Sequence, residues 1–160
     1  YSFDYGAAHF IFLNTESNYK KQTEWLRDDL GRTDRPWKIA VLHRGPYGGN
    51  QFDKALKQWV PLFDEYGVQL VLQGHNHEYS RSYPLKNNKI ADSGKGTVYV
   101  VVNASGKKFN EKKEDRFYHQ VHFQNGKQTF AGIRIEGSKL TFQAYDVDGG
   151  KLDEFELSLD

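Results

Sequence analysis

A chain of 160 residues, 38% hydrophobic and 27% charged, suits one domain and can bury a real core. Its 22 basic and 21 acidic side chains leave a formal charge of +1, so nothing in the balance favours nucleic acid or an anionic membrane surface as a partner. No apolar run approaches the roughly 18 to 20 residues of a membrane span, no signal peptide is visible, and without cysteine any metal must be held by nitrogen and oxygen.

The chain also lacks methionine, and Tyr1-Ser2-Phe3-Asp4-Tyr5 already alternates like a strand with one buried face. The expectation is therefore the carboxy-terminal part of something longer. Residues 1–15 read as a hairpin turning at Gly6-Ala7-Ala8. A helix is predicted over 19–30, with Trp25, Leu26 and Leu30 inward, Asn18 as N-cap and Gly31 as C-cap. Arg35-Pro36 opens a buried strand over 37–42, which ends in His43 and the turn-forming Arg44-Gly45-Pro46-Tyr47-Gly48-Gly49. In residues 51–66, Phe52, Leu56, Trp59, Val60 and Phe63 fall at helical spacing. Pro61 inside that stretch would cost about 3 kcal/mol in a helix interior, so it is expected to open a new short helix.

Residues 68–73 form a second buried strand, ended by Gly74 and by His75-Asn76-His77. Beyond it, residues 79–85 and Lys89-Ile90 look extended around a turn at Asn87-Asn88, and the β-branched run 97–102 is a central strand. Residues 107–116, of mixed charge, read as a solvated, mobile loop. The remainder alternates through 118–123, 129–135, 140–147 and 152–159, four strands joined by short turns into an antiparallel meander. The fold class is α/β in one packing unit. An α/β half (1–78) feeds a mostly antiparallel β half (79–160), giving two sheets face to face with helices outside the first.

Strand, helix, strand units are overwhelmingly parallel with a right-handed crossover, so the strands ending at His43 and Gly74 finish at the same sheet edge. Ligands of open α/β sheets bind just beyond that edge. Neighbouring strands lie about 5 Å apart, and imidazoles from their ends can share one ion at about 2 Å per bond. His43, His75 and His77 are thus the candidate ligands. His9, His119 and His122 each sit inside an alternating pattern and are taken as structural.

Gly74-His75-Asn76-His77 with Glu78-Tyr79-Ser80-Arg81-Ser82-Tyr83 resembles the Gly-His-x-His motif of the calcineurin-like metallophosphoesterases, especially the purple-acid-phosphatase-like branch. His43 with Pro46-Tyr47 is similar to that branch's upstream histidine motif. Residues 1–13 and the helix around Trp25-Leu26 resemble the same branch, and Tyr145-Asp146-Val147 resembles the closing hairpin of bacterial members. The resemblance implies a four-layer α/β/β/α sandwich and a two-metal site hydrolysing a small phosphoester, with His43 and His75 on one ion and His77 on the other. The cofactors would be two divalent or mixed-valence ions, iron, zinc or manganese. Arg44 or Tyr47 would contact a phosphate oxygen, Arg81 would orient or pair, and a secreted or cell-surface location is expected.

The family's Asp-x-His, Gly-Asp and Gly-Asn-His motifs are absent from the sequence. No catalytic residue beyond the histidine ligands is expected in this segment, and the missing amino-terminal half of the domain is the partner it needs. Alone it is expected to be inactive. The competing readings are a mononuclear zinc site of three histidines and water, and a non-catalytic β-rich binding or structural module whose histidines are incidental.

Overall fold

The computed structural model describes residues 1–159. The first hairpin is β1 (Ser2–Tyr5) and β2 (Ala8–Leu13), turning at Gly6, whose φ of 57° suits a residue without a side chain. Helix α1 (Tyr19–Arg32) leads to β3 (Trp37–Arg44). The predicted break at Pro61 is present: α2 (Asp53–Gln58) stops and α3 (Val60–Tyr66) begins with the proline in its first turn, where no backbone N–H is needed. Then come β4 (Leu70–Gly74), β5 (Tyr79–Ser82) and the small β6–β7 hairpin (Leu85–Lys86, Lys89–Ile90), whose Asn87 and Asn88 both take positive φ. Strand β8 (Val98–Val101) and β9 (His119–Phe123) precede β10 (Thr129–Glu136), β11 (Lys139–Asp146) and β12 (Lys151–Ser158).

Seven strands form one mixed sheet in the order β1-β2-β3-β4-β8-β5-β9, with β2, β3, β4 and β8 parallel. The helices cover one face. Leu26 and Leu30 of α1, Trp59 and Phe63 of the α2–α3 pair, and Ala40, Leu42 and Val71 of the sheet make that core. The other face packs Trp37, Ile39, Leu70, Tyr79 and Val100 against Leu140, Phe142 and Ala144 of an antiparallel sheet, β10-β11-β12. Central parallel strands are thus buried on both sides, which is why 37–42 and 97–102 read as apolar runs without alternation.

The described residues make three layers, helices, sheet and sheet. The predicted four-stranded meander has three strands, because β9 joins the first sheet beside β5, with Ser80 opposite His122 and Phe123 stacked on Tyr79 at 4.8 Å. An open edge at β5 would leave unpaired amides, and β9 satisfies them. The chain changes sheets at 124–128, where the Asn103 amide donates to Gln124 Oε1 and to the Lys127 carbonyl. The division at residue 78 therefore does not separate the sheets, since β5, β8 and β9 all belong to the first. Asn18 is the N-cap of α1 as predicted, left-handed (φ 55°), its carbonyl accepting from the Gln22 amide at 3.0 Å and its side chain making no cap bond, whereas Gly31 lies within the helix, which ends at Arg32 with Thr33 as C-cap. Arg81 lies in an ion pair across the two sheets: its Nε and Nη2 donate to Asp153 of β12 at 2.7 and 3.0 Å.

Candidate metal centre

Register places the histidines. Strands β3 and β4 run parallel with Leu42 opposite Gln73 and Arg44 opposite Gly74, so the pairing slips by one residue at His43, a bulge that re-aims its side chain. Gly74 is followed by a tight turn in which the Asn76 amide donates to the Gly74 carbonyl at 2.8 Å. His75 takes a left-handed φ of 68° there, a conformation that costs a non-glycine residue about 1 to 3 kcal/mol and that clusters at functional sites. The imidazoles of His43 and His75 meet nearly edge to face, centroids 5.3 Å apart. Two imidazoles on one tetrahedral ion with bonds of about 2.05 Å would have centroids about 5.2 Å apart, so the pair stands at the separation two ligands require. Both rings are exposed. A Cβ on Gly74 would come within 3.1 Å of His43 Nδ1, so glycine leaves the ring its place.

His77 is held differently. Its Nδ1 lies 2.7 Å from the Lys108 carbonyl, which accepts only if Nδ1 carries the proton, so the Nε2 lone pair is left for a ligand. The His77 amide donates to Asn110 Oδ1 at 2.8 Å, and its carbonyl accepts from the Asn110 amide at 3.0 Å and from the Gln124 side-chain amide. Residues 107–116 are thus tied to this loop, where the sequence suggested a loose solvated segment. Donor atoms of His43, His75 and His77 do not all fall within 4.8 Å of one another among the described residues, and no carboxylate joins them as a third ligand. The structure brings His43 and His75 together and keeps His77 apart.

Partial desolvation in the turn, then the Arg44 charge and the neighbouring His43, hold the His75 pKa below the ordinary imidazole value, which favours the neutral, ligating form. The Arg44 guanidinium donates to Glu16 at 2.8 Å and lies 5.8 Å from the Phe52 ring centroid. Tyr47 is placed otherwise than the resemblance implied. It is 1% exposed, packs against Tyr99 and Tyr118, and donates its hydroxyl to Asn88 Oδ1 at 2.9 Å, so it is a core residue out of reach of a substrate. An open depression of about 410 Å³ runs past His43 between Phe12, Leu13, Val41 and Leu72. The larger cavity, about 640 Å³, lies by Phe63, Val68 and Ile90 at the opposite ends of the strands and contains no histidine, so size alone would mislocate the chemistry.

The family described as calcineurin-like phosphoesterase matches residues 2–79, which end just beyond His77. The chain belongs to the calcineurin-like metallophosphoesterases. Within that superfamily it falls in the purple-acid-phosphatase-like branch. Purple acid phosphatase 23 of Arabidopsis thaliana is 31% identical over 117 residues, covering 66% of this chain and 25% of its own length. Acid phosphatase type 7 of Mus musculus is 27% identical over 143 residues, covering 66% of this chain and 33% of its own. The solved purple acid phosphatase PPD1 of yellow lupin superposes on the whole chain with a TM-score of 0.83 at 23% identity, matching 32% of that structure. The chain spans about a quarter of the length of purple acid phosphatases 23 and 18 of Arabidopsis thaliana.

Sequence reasoning missed two buried groups beside this metallophosphoesterase loop. Glu78 is fully buried, its Oε2 accepting from the Lys113 amide at 2.9 Å, and His122, read as structural, sits 3.2 Å from the same oxygen. The alternation of 118–123 gave no sign of this, because the pairing of β9 with β5 is a long-range event.

Proposed function

We propose that this chain supplies three histidine ligands, His43, His75 and His77, to a two-metal site that hydrolyses phosphoric esters, and forms the carboxy-terminal part of a four-layer metallophosphoesterase domain. The observation that carries the reading is the meeting of the His43 and His75 rings at the shared edge of β3 and β4. The bound ions would supply Lewis-acid polarisation of the phosphoryl oxygens and an activated water. The chain's own residues do the holding: the β3 bulge and the left-handed turn present His43 and His75, and the Lys108 carbonyl fixes the His77 tautomer.

Three neutral imidazoles leave the charge of two ions uncompensated, so the carboxylate ligands and the fourth layer come from the preceding part of the domain. The chain by itself is then inactive, and the intact parent is the enzyme. Iron, zinc or manganese suits such a mixed nitrogen and oxygen site, and export from the cell fits the branch. The test is carried out on the intact parent: His75→Ala and His77→Ala should each lower metal-dependent p-nitrophenyl phosphate hydrolysis by at least a hundredfold and reduce bound metal from two ions per chain. Metal-dependent turnover by residues 1–160 alone would overturn the half-site reading. Two full-strength ions retained in the double variant would overturn the ligand assignment.

A non-catalytic reading keeps two specific supports. The same fold, at a TM-score of 0.77 and 15% identity, occurs in a Plasmodium protein described as the anchor in the inner membrane complex, and a relative 28% identical over 134 residues is named probable inactive purple acid phosphatase 9 of Arabidopsis thaliana. Fold alone does not carry function. That reading predicts no metal in the parent and no change on removing His75 and His77.

A further inference from the structure

Behind the histidine loop, on the face of β5 and β9 turned away from Tyr79, lies a second group of metal-ligating side chains. Strand alternation puts Ser80 and its cross-strand partner His122 on that face, next to Glu78. His122 is 1% exposed in its side chain and Glu78 is fully buried. The His119 and His122 rings lie with centroids 4.0 Å apart, and one donor atom from each of Asp115, His119 and His122 falls within 4.8 Å of the other two. Glu78 Oε1, Ser80 Oγ, His119 Nε2 and His122 Nε2 are all buried without a hydrogen-bond partner.

Such a concentration of orphaned donors and acceptors is costly, at about 1 to 3 kcal/mol for each, unless something occupies the space between them. The His122 ring shows what that is. Its Nδ1 lies 2.8 Å from Asp115 Oδ1 and its Nε2 3.2 Å from Glu78 Oε2. A neutral imidazole has one proton for these two carboxylates, so one nitrogen must turn a lone pair toward an oxygen. The lone pair belongs on Nδ1, the side on which Asp115, His119 and His122 each bring a donor atom within 4.8 Å of the other two, a group that does not include Glu78. The Nε2–H is then left toward Glu78 Oε2, near but without an aligned hydrogen bond. A carboxylate beside the far N–H of a ligating histidine is its usual support.

We infer that Asp115, His119 and His122 form a mononuclear divalent-cation site, with Glu78 beside the Nε2–H of His122, and that the ion fastens residues 107–116 over β5 and β9. Two imidazoles, a carboxylate and water favour zinc or a similar ion. The His119 Nδ1 now accepts from the Arg116 amide at 3.1 Å, so ligation through Nε2 moves the ring proton to Nδ1 and displaces that amide. The segment is already folded toward the site through the Lys113 amide on Glu78 and the Lys112–Asp115 pair, and Asp115, 69% exposed in its side chain, marks the side from which an ion enters. This site uses none of the three histidines assigned above.

The experiment starts from the full chain carrying His43→Ala, His75→Ala and His77→Ala together, dialysed against zinc and then cobalt(II). One zinc per chain should remain, and cobalt should show the intense visible absorption of a four-coordinate nitrogen and oxygen site. Adding His122→Gln should weaken zinc binding at least a hundredfold. Because His122 is buried and its variant could fail to fold, Asp115→Asn on the exposed side provides the second arm, with a 10- to 100-fold loss and unchanged circular dichroism. No zinc in the triple variant, or zinc affinity that neither added substitution changes, overturns the proposal. Both outcomes are independent of whether the His43, His75 and His77 site binds metal.

Discussion

Asp153 is the most exacting test of how the two sheets hold the site. Its Oδ2 accepts from the Tyr79 hydroxyl and from Arg81 Nε, each at 2.7 Å, and its Oδ1 accepts from Arg81 Nη2 at 3.0 Å. Both charged side chains are largely buried, 7% exposed for Asp153 and 11% for Arg81, and the guanidinium lies over the Phe155 ring at 4.8 Å. Burial and then the Asp153 carboxylate push the Tyr79 hydroxyl well above the ordinary phenol range, so it stays a donor. Asp153→Ala leaves a buried cation without its counter-ion, at a cost of about 3 to 5 kcal/mol, and orphans a buried hydroxyl, about 1 to 3 more. The two overlap in one network, so about 4 to 5 kcal/mol is expected in total. Asp153→Asn keeps the shape and one acceptor and should cost about half of that. With a urea slope of about 2 kcal/mol per M, the alanine variant should unfold about 2 M earlier by tryptophan fluorescence. The double variant Arg81→Met with Asp153→Leu removes both charges and should recover most of the loss. A cost under about 1 kcal/mol for Asp153→Ala, or a double variant no better than the single, would refute the claim that this pair clamps β5 to the second sheet two residues beyond His77.

Other substitutions probe the loops directly. In Gly45→Ala the new methyl overlaps the Gln73 amide, which bonds the Tyr47 amide at 3.1 Å and its carbonyl at 2.6 Å. Losing both buried bonds should cost about 2 to 4 kcal/mol in urea denaturation. Gly74→Ala is milder for the fold but pushes on His43 Nδ1, so unfolding should barely change while metal affinity at the His43 and His75 pair falls about tenfold by calorimetry. Asp146 is held below the ordinary carboxylate range, first by the Gly150 amide and then by the Asp148 amide and Lys127. A depressed acid contributes stability that is present above about pH 3.8 and is lost as pH falls through its folded value. The Gly150 amide resonance should therefore shift only in strong acid, and Asp146→Asn should abolish that step.

The legible part of the fold was the part built from local periodicity. Strand β3, the Pro61 break and strand β4 follow from an apolar run, a helical spacing and a second run, and the handedness of such units places His43 beside Gly74 without further information. The bulge after Leu42 was invisible, since a slip of one residue leaves no mark on a run buried on both faces. Strand β9 was misassigned for a related reason: alternation in 118–123 fits either sheet, and the choice rests on the open edge of β5, which is far away in sequence. The packing of Tyr47 is not legible either, because a tyrosine after a histidine turn has the same local pattern whether its ring faces solvent or the Tyr99–Tyr118 core.

Gly48 and Gly49 carry the deeper lesson. Read along the chain they are turn residues, and neither has a positive φ that would demand glycine. In the fold their missing side chains are the space into which Asn76 and Glu78 project: a Cβ on Gly48 would sit 2.8 Å from Asn76 Oδ1, and one on Gly49 would overlap Glu78 Oε1. The room left at one strand end thus lets the loop after the neighbouring strand carry a buried carboxylate. Burying a carboxylate is unfavourable by several kcal/mol unless it is matched by donors or a cation. The described donors to Glu78 are one backbone amide and one imidazole that does not align. The imbalance is local to Glu78 and the Asp115, His119 and His122 group beside it, which is why zinc binding by a chain stripped of His43, His75 and His77 bears on this site alone.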